Sequence, residues 1–232
     1  MESMKKWTYV WMILLFGVMS LNAQKPILKF NENKKFKIVQ FTDVHWIYND
    51  SKSDIAGERM NEVLDAEKPD LVVYTGDIIF EKPAEEALTK ALEPVVSRNI
   101  PFALTWGNHD DEQGMSRQEL FDYVKEIPNN LTSTVEGITG VTNYILPIQT
   151  ADGKKDATVL YVFDSNSYST MKKVVDGYGW IALDQIDWYV KSSKAFTAKN
   201  GGSPIPSLAF FHIPIPEYRE AVLDESAFMV GT

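Results

Sequence analysis

Lys68-Pro69-Asp70-Leu71-Val72-Val73-Tyr74-Thr75-Gly76-Asp77 is the stretch on which the reading of this chain turns. Pro69 closes whatever structure precedes it. Leu71–Tyr74 then gives a short apolar run, half of it β-branched, with the length and content of a strand buried on both faces. Gly76-Asp77 delivers a carboxylate just past its carboxyl end. The same pattern recurs on either side. Phe36–Phe41 leads into Thr42-Asp43-Val44-His45, and Pro101–Thr105 leads through Trp106 into Gly107-Asn108-His109-Asp110. Ser207–Phe211 leads into His212-Ile213-Pro214, and a fifth run, Val159–Phe163, leads into Asp164.

Helical patterns separate these runs. Ala84, Ala87, Leu88, Ala91, Leu92, Val95 and Val96 recur at helical spacing, with Pro83 at the start and Asn99 beyond the end. Ala56, Met60, Val63 and Leu64 mark a helix before Lys68. Ser116-Arg117-Gln118-Glu119 is a capping box opening a helix that carries Leu120 and Val124, and Leu183, Ile186 and Val190 mark another. Strands alternating with helices predict an α/β fold with a largely parallel central sheet. Ser133–Ala157 reads as hairpins and loops, and Asn200-Gly201-Gly202-Ser203-Pro204 as a surface turn.

Composition narrows the chemistry. With 232 residues, 44% of them hydrophobic, the chain holds enough apolar material for a real core, which excludes wholesale disorder. The 32 acidic residues outnumber the 23 basic ones, a poor match to a polyanion, so nucleic-acid binding is not expected. Zero cysteines exclude disulfides, thiolate metal sites and cysteine nucleophiles. At the amino terminus, Lys5 and Lys6 precede an apolar run, Val10–Met19, that ends in Ser20-Leu21-Asn22-Ala23. That run is shorter than the roughly 17–25 apolar residues of a membrane span and reads as a signal peptide cleaved near Ala23. The expectation is therefore a secreted or periplasmic protein without a stable membrane anchor, with residues 24–232 as its working domain.

In open α/β sheets, ligands bind where the loops at the carboxyl ends of several strands converge. All three histidines, His45, His109 and His212, follow apolar runs, so four polar clusters point to one place. Asp43, His45, Asp77, Asn108 and His212 offer carboxylate, amide and imidazole donors without sulfur, a set suited to Mn, Fe or Zn. Converging carboxylates repel unless a cation lies between them. Two divalent ions about 3.5–4 Å apart, bridged by one Asp, would clamp the oxygens of an in-line displacement at phosphorus, so a phosphorylated small molecule or phosphoprotein is the expected substrate. The ions would make the site locally cationic within an acidic protein.

Asp43-Val44-His45, Gly76-Asp77, Gly107-Asn108-His109-Asp110 and Phe211-His212, in this order, resemble the calcineurin-like metallophosphoesterase superfamily. The words Gln40–His45, Leu104–Asp110 and Phe163-Asp164-Ser165 are similar to its purple-acid-phosphatase-like branch, and the likeness covers roughly residues 34–220. The resemblance implies an α/β/β/α sandwich. It implies that Asp43 and His45 bind a first metal, that Asp77 bridges two, divalent or mixed-valence, and that Asn108 and His212 bind the second. His109 would stabilise the transition state or protonate the leaving alkoxide, with Asp110 orienting its ring, and a metal-bridging hydroxide would attack. Two departures matter. Phe80 stands three residues after Asp77, where purple acid phosphatases carry the coloured tyrosine ligand, so the protein is not expected to be purple. No histidine follows His212, whereas the superfamily ends its site with Gly-His-x-His; each ion would lack a ligand, and the chain is expected to be a C-terminally incomplete piece of a longer reading frame. The rival expectation is a truncated, non-catalytic metal- or phosphate-binding module of the same fold. Asp164 reads as a loop or capping residue, and Trp46, Trp106 and Tyr48 as aromatics that are more often core than pocket.

Overall fold

A computed structural model describes residues 25–215 and 217–224, so the expected signal peptide lies outside the described residues. Strand β2 (Leu71–Thr75) is buried throughout. It pairs in parallel with β1 (Ile38–Phe41) on one side and β3 (Phe102–Thr105) on the other, with Phe41 opposite Tyr74 and Tyr74 opposite Leu104. Because side chains alternate across a strand, Val72 and Tyr74 join one core and Leu71 and Val73 another. The first core is covered by α1 (Ser51–Glu67), α2 (Ala84–Val96) and α3 (Arg117–Val124). Leu88, Leu92, Val95 and Leu120 are inaccessible there, each such side chain contributing about 1.5–3 kcal/mol relative to exposure.

Local sequence sets the helix ends. Asp50 caps α1 through its carboxylate and Lys52 N–H, and Lys68 closes it in the left-handed region at φ 45°. The capping box of Ser116 and Glu119 opens α3. Pro94 lies inside α2 but in its last turn, where few backbone bonds remain to be broken.

A second sheet faces the first. The hairpin formed by β4 (Tyr144–Gln149) and β5 (Asp156–Val162) is antiparallel, and β6 (Ser207–Phe210) adds in parallel beside β5. The expectation of one largely parallel central sheet therefore holds for β1–β3 alone, because the β4–β5 hairpin starts a separate, mixed sheet. Leu160 and Val162 meet Leu71, Val73 and Ala103 between the sheets. Val159, Tyr161 and Phe163 turn the other way, toward Trp188, Tyr189 and Phe196 of α4 (Leu183–Lys199). The layers run helix, sheet, sheet, helix, an α/β/β/α sandwich. Helix α4 forms where its spacing indicates, but its inward face is not the expected one: Leu183, Ile186 and Val190 are exposed, and the aromatic residues face the sheet. A short helix, α5 (Glu217–Leu223), follows β6. Among the described residues, no helix is long and apolar enough to cross a membrane.

Candidate metal centre

The parallel register of β1, β2 and β3 brings their carboxyl ends to one edge. Backbone bonds then zip the first two exits together, from Asp43 N–H to the Gly76 carbonyl (3.1 Å), His45 N–H to Asp77 (2.9 Å) and Trp46 N–H to Ile78 (2.9 Å). Asp43, His45 and Asp77 all sit at left-handed φ, 52°, 49° and 51°. Non-glycine residues hold that conformation only where their surroundings impose it, and such strain concentrates at functional sites. Gly107 is required for a different reason: a Cβ there would collide with the Asp77 carboxylate and backbone nitrogen.

Asp77 is the hub. It is almost wholly buried, and its Oδ2 lies 3.2 Å from His45 Nε2 and 3.4 Å from His212 Nε2, while Oδ1 accepts from the His109 N–H at 2.9 Å. Burial opposes the charge of Asp77, yet the His212 hydrogen bond and charge, the His109 N–H and the His45 bond outweigh it and hold the carboxyl well below the usual range. On the partner side, burial pulls His212 down, but Asp77 raises it overall. His212 reaches across from the second sheet, its Nδ1 2.8 Å from the Thr75 carbonyl. That bond fixes the ring so that Nε2 faces Asp77.

Two groups of ligand atoms lie within 4.8 Å of one another, Asp43 with Asp77 and His212, and His45 with Asp77 and His109. Each offers only oxygen and nitrogen, and both share Asp77, so the residues present fit first-row divalent ions. Asp43 clusters with Asp77 and His212, and His45 clusters with Asp77 and a ring nitrogen of His109. Asn108 is buried nearby, and its Nδ2 donates to the Tyr168 hydroxyl at 3.1 Å.

The expectation that Asp110 orients His109 is corrected. Asp110 is fully buried and accepts backbone N–H bonds from Asp77 (3.0 Å), Ile78 (2.8 Å), Ile79 (3.0 Å) and Gly107 (2.7 Å), clamping the exits of β2 and β3 together. Its carboxylate is consumed by four amides. Glu112, on the single 3-10 turn Asp110–Glu112, holds the ring instead, with Oε2 2.6 Å from His109 Nδ1. That bond keeps the Glu112 carboxyl below its ordinary range. Phe80 meets both His45 and His109 edge-on, at ring separations of 5.1 and 4.9 Å.

Sequence reasoning missed three residues here: Glu112, Tyr168 and Arg117. The Tyr168 hydroxyl lies 2.8 Å from the second Glu112 oxygen. Arg117 donates to the Gly107 carbonyl (2.7 Å) and to Asp164 Oδ1 (2.8 Å). Asp164 is a loop residue that caps the turn, as its sequence suggests, accepting from the Asn166 N–H (2.9 Å) two residues on; it is also wholly buried and accepts from the Val141 N–H (2.8 Å). Trp46 and Trp106 are core. The i to i+3 spacing of His109 and Glu112 was a usable signal for one of the three; nothing local marked the others.

The family model for calcineurin-like phosphoesterases matches residues 36–228. The chain is 34% identical over 229 residues to a protein of Arabidopsis thaliana named probable inactive purple acid phosphatase 29, covering 84% of this chain and 58% of that one. It is 38% identical over 228 residues to the phosphatase DCR2 of Saccharomyces cerevisiae, covering 87% of this chain and 38% of that one. A second Arabidopsis protein, probable inactive purple acid phosphatase 14, is 28% identical over 238 residues, covering 88% of this chain and 59% of that one. The chain thus spans between about two fifths and three fifths of the length of these relatives.

Proposed function

From the premise that this chain belongs to the calcineurin-like phosphoesterase family, in its purple-acid-phosphatase-like branch, we propose that it is an exported, binuclear-metal-dependent hydrolase of phosphomonoesters or small phosphodiesters. The observation that carries the reading is the sharing of Asp77 between two groups of metal-ligating atoms. Bound ions would supply the positive charge that polarises a phosphoryl oxygen and the acidity that yields a nucleophile from water. Asp43, His45, Asp77 and His212 of those two groups would hold them, with Asn108 beside them, while His109, the remaining member, would serve the leaving oxygen; Mn, Fe and Zn all suit these donors.

The chain's own residues do the rest. Asp77 stays ionised because two imidazoles and an amide N–H face it. With Nδ1 of His109 committed to Glu112, its Nε2 is the nitrogen left for a leaving oxygen. As the P–O ester bond breaks, a proton passes from that imidazolium to the departing alkoxide, a step contributing about 10²–10⁴ in rate. Export rests on the signal-like residues 1–23, and amino-terminal sequencing of the protein recovered outside the cytoplasm tests it.

Asp77→Ala is expected to abolish both metal retention and hydrolysis, whereas His109→Ala keeps metal and loses rate. Normal turnover by either variant would sink the assignment. A second reading, a non-catalytic metal- or phosphate-binding module, is favoured by the names of two plant relatives, which call them probably inactive. Binding of phosphate without turnover of any ester under Mn, Fe or Zn decides for it.

A further inference from the structure

The segment between β5 and α4 carries aromatic surface that the core does not use. Tyr168 and Tyr178 form an isolated antiparallel bridge, and their rings stack at 6.0 Å with 17° between planes. Both stay substantially exposed, at 38% and 55%. The bridge is closed by its own backbone, from Ser169 N–H to the Gly177 carbonyl (2.9 Å) and Gly179 N–H to Ser167 (3.1 Å). Ser167 Oγ donates to the Asn108 carbonyl at 3.1 Å, and Asn166 Nδ2 donates to the Trp180 carbonyl at 2.7 Å.

The stack is tied to the chemistry. The Tyr168 hydroxyl lies within hydrogen-bond distance of Asn108 Nδ2 and Glu112 Oε1, and the other Glu112 oxygen holds His109. His109 is the group proposed to meet the leaving oxygen, so Tyr168 is two hydrogen bonds from the ring that protonates it. Exposed, stacked rings fixed in that position offer a flat apolar face to whatever alcohol the phosphate esterifies.

We propose that Tyr168 and Tyr178 form a leaving-group subsite that takes phosphate esters whose alcohol carries a flat ring. The inference rests on the phosphoesterase reading and deepens it. Benzyl phosphate and propyl phosphate test it, because their alcohols are close in basicity and differ in the ring. With the full chain loaded with Mn²⁺, KM for the benzyl ester is expected to be about fivefold lower, the size of one aromatic contact. Tyr178→Ala and Tyr178→Leu bring the ratio of the two KM values near unity. Tyr168→Phe keeps a ring and loses the hydroxyl, so it lowers kcat for both esters alike while preserving the KM ratio. Equal KM values in the unaltered chain, or a preference that survives both Tyr178 variants, overturns the subsite. Should neither ester be hydrolysed, the proposed activity fails by itself. Calorimetry with benzylphosphonate and propylphosphonate then reads the subsite: about fivefold tighter benzyl binding that is lost in the Tyr178 variants sustains it, and equal affinities overturn it.

Discussion

The loops after β1, β2 and β3 and the loop after β5 meet at the same centre but are built in opposite ways. The first three are short exits from neighbouring parallel strands, aligned by strand register and joined by backbone bonds such as His45 N–H to the Asp77 carbonyl. They carry Asp43, His45, Asp77, Asn108 and His109. The loop after β5 is long and is positioned by side chains from far along the chain. Arg117 grips Asp164, Gln185 Nε2 donates to Asn143 Oδ1 and the Asp164 carbonyl (both 2.6 Å), and Asn108 reaches Tyr168. The lesson is a division of labour: backbone register fixes the candidate metal-binding groups, where small displacements are costly, and side-chain bonds attach a loop that is freer to vary.

Breaking the clasp between these regions should have the largest effect. Arg117→Ala leaves the Asp164 carboxylate buried without its cation, at a cost of about 3–5 kcal/mol in urea unfolding. A loss below about 1 kcal/mol would show that the two regions do not depend on this pair. Next, Gly107→Ala pushes a methyl group into Asp77 within the register-built region. Activity is expected to fall on the order of 10²-fold with metal content reduced, read by turnover and metal analysis together. Unchanged turnover would mean that the exit of β3 tolerates displacement, contrary to its construction. Glu112→Gln tests the seam between the regions: about tenfold lower kcat with an unaltered melting temperature is expected, because the ring loses its charged partner and not its packing. The smallest effect falls on α4, where Leu183→Ser should shift stability by no more than about 0.5 kcal/mol, since Leu183 faces solvent. A cost near that of a core leucine would return the helix to the orientation its apolar spacing suggested.

Legibility followed the same division. The strand runs, the capping box at Ser116, the helix from Ala84 to Val96 and the exit motifs could be read because period and end signals are local. The face of α4 could not. Trp188, Tyr189 and Phe196 compete with Leu183, Ile186 and Val190 for the interior, and only the position of the second sheet selects between the two sets. The partner of His109 was misread for a related reason. Asp110 is its neighbour in sequence, but four backbone amides take that carboxylate first, and the 3-10 turn brings Glu112 to the ring.

The sequence by itself determined the candidate donor atoms, their order along the chain and the strands that end beside them, because each is written within a few residues. Only the tertiary structure decided which donors share Asp77, which carboxylate holds His109, and that Tyr168 belongs to the site at all. Most of those pairings join distant parts of the chain, such as His212 with Asp77, and the ring of His212 is set by a carbonyl 137 positions away at Thr75. They depend on how one sheet is laid against another, which no local period encodes.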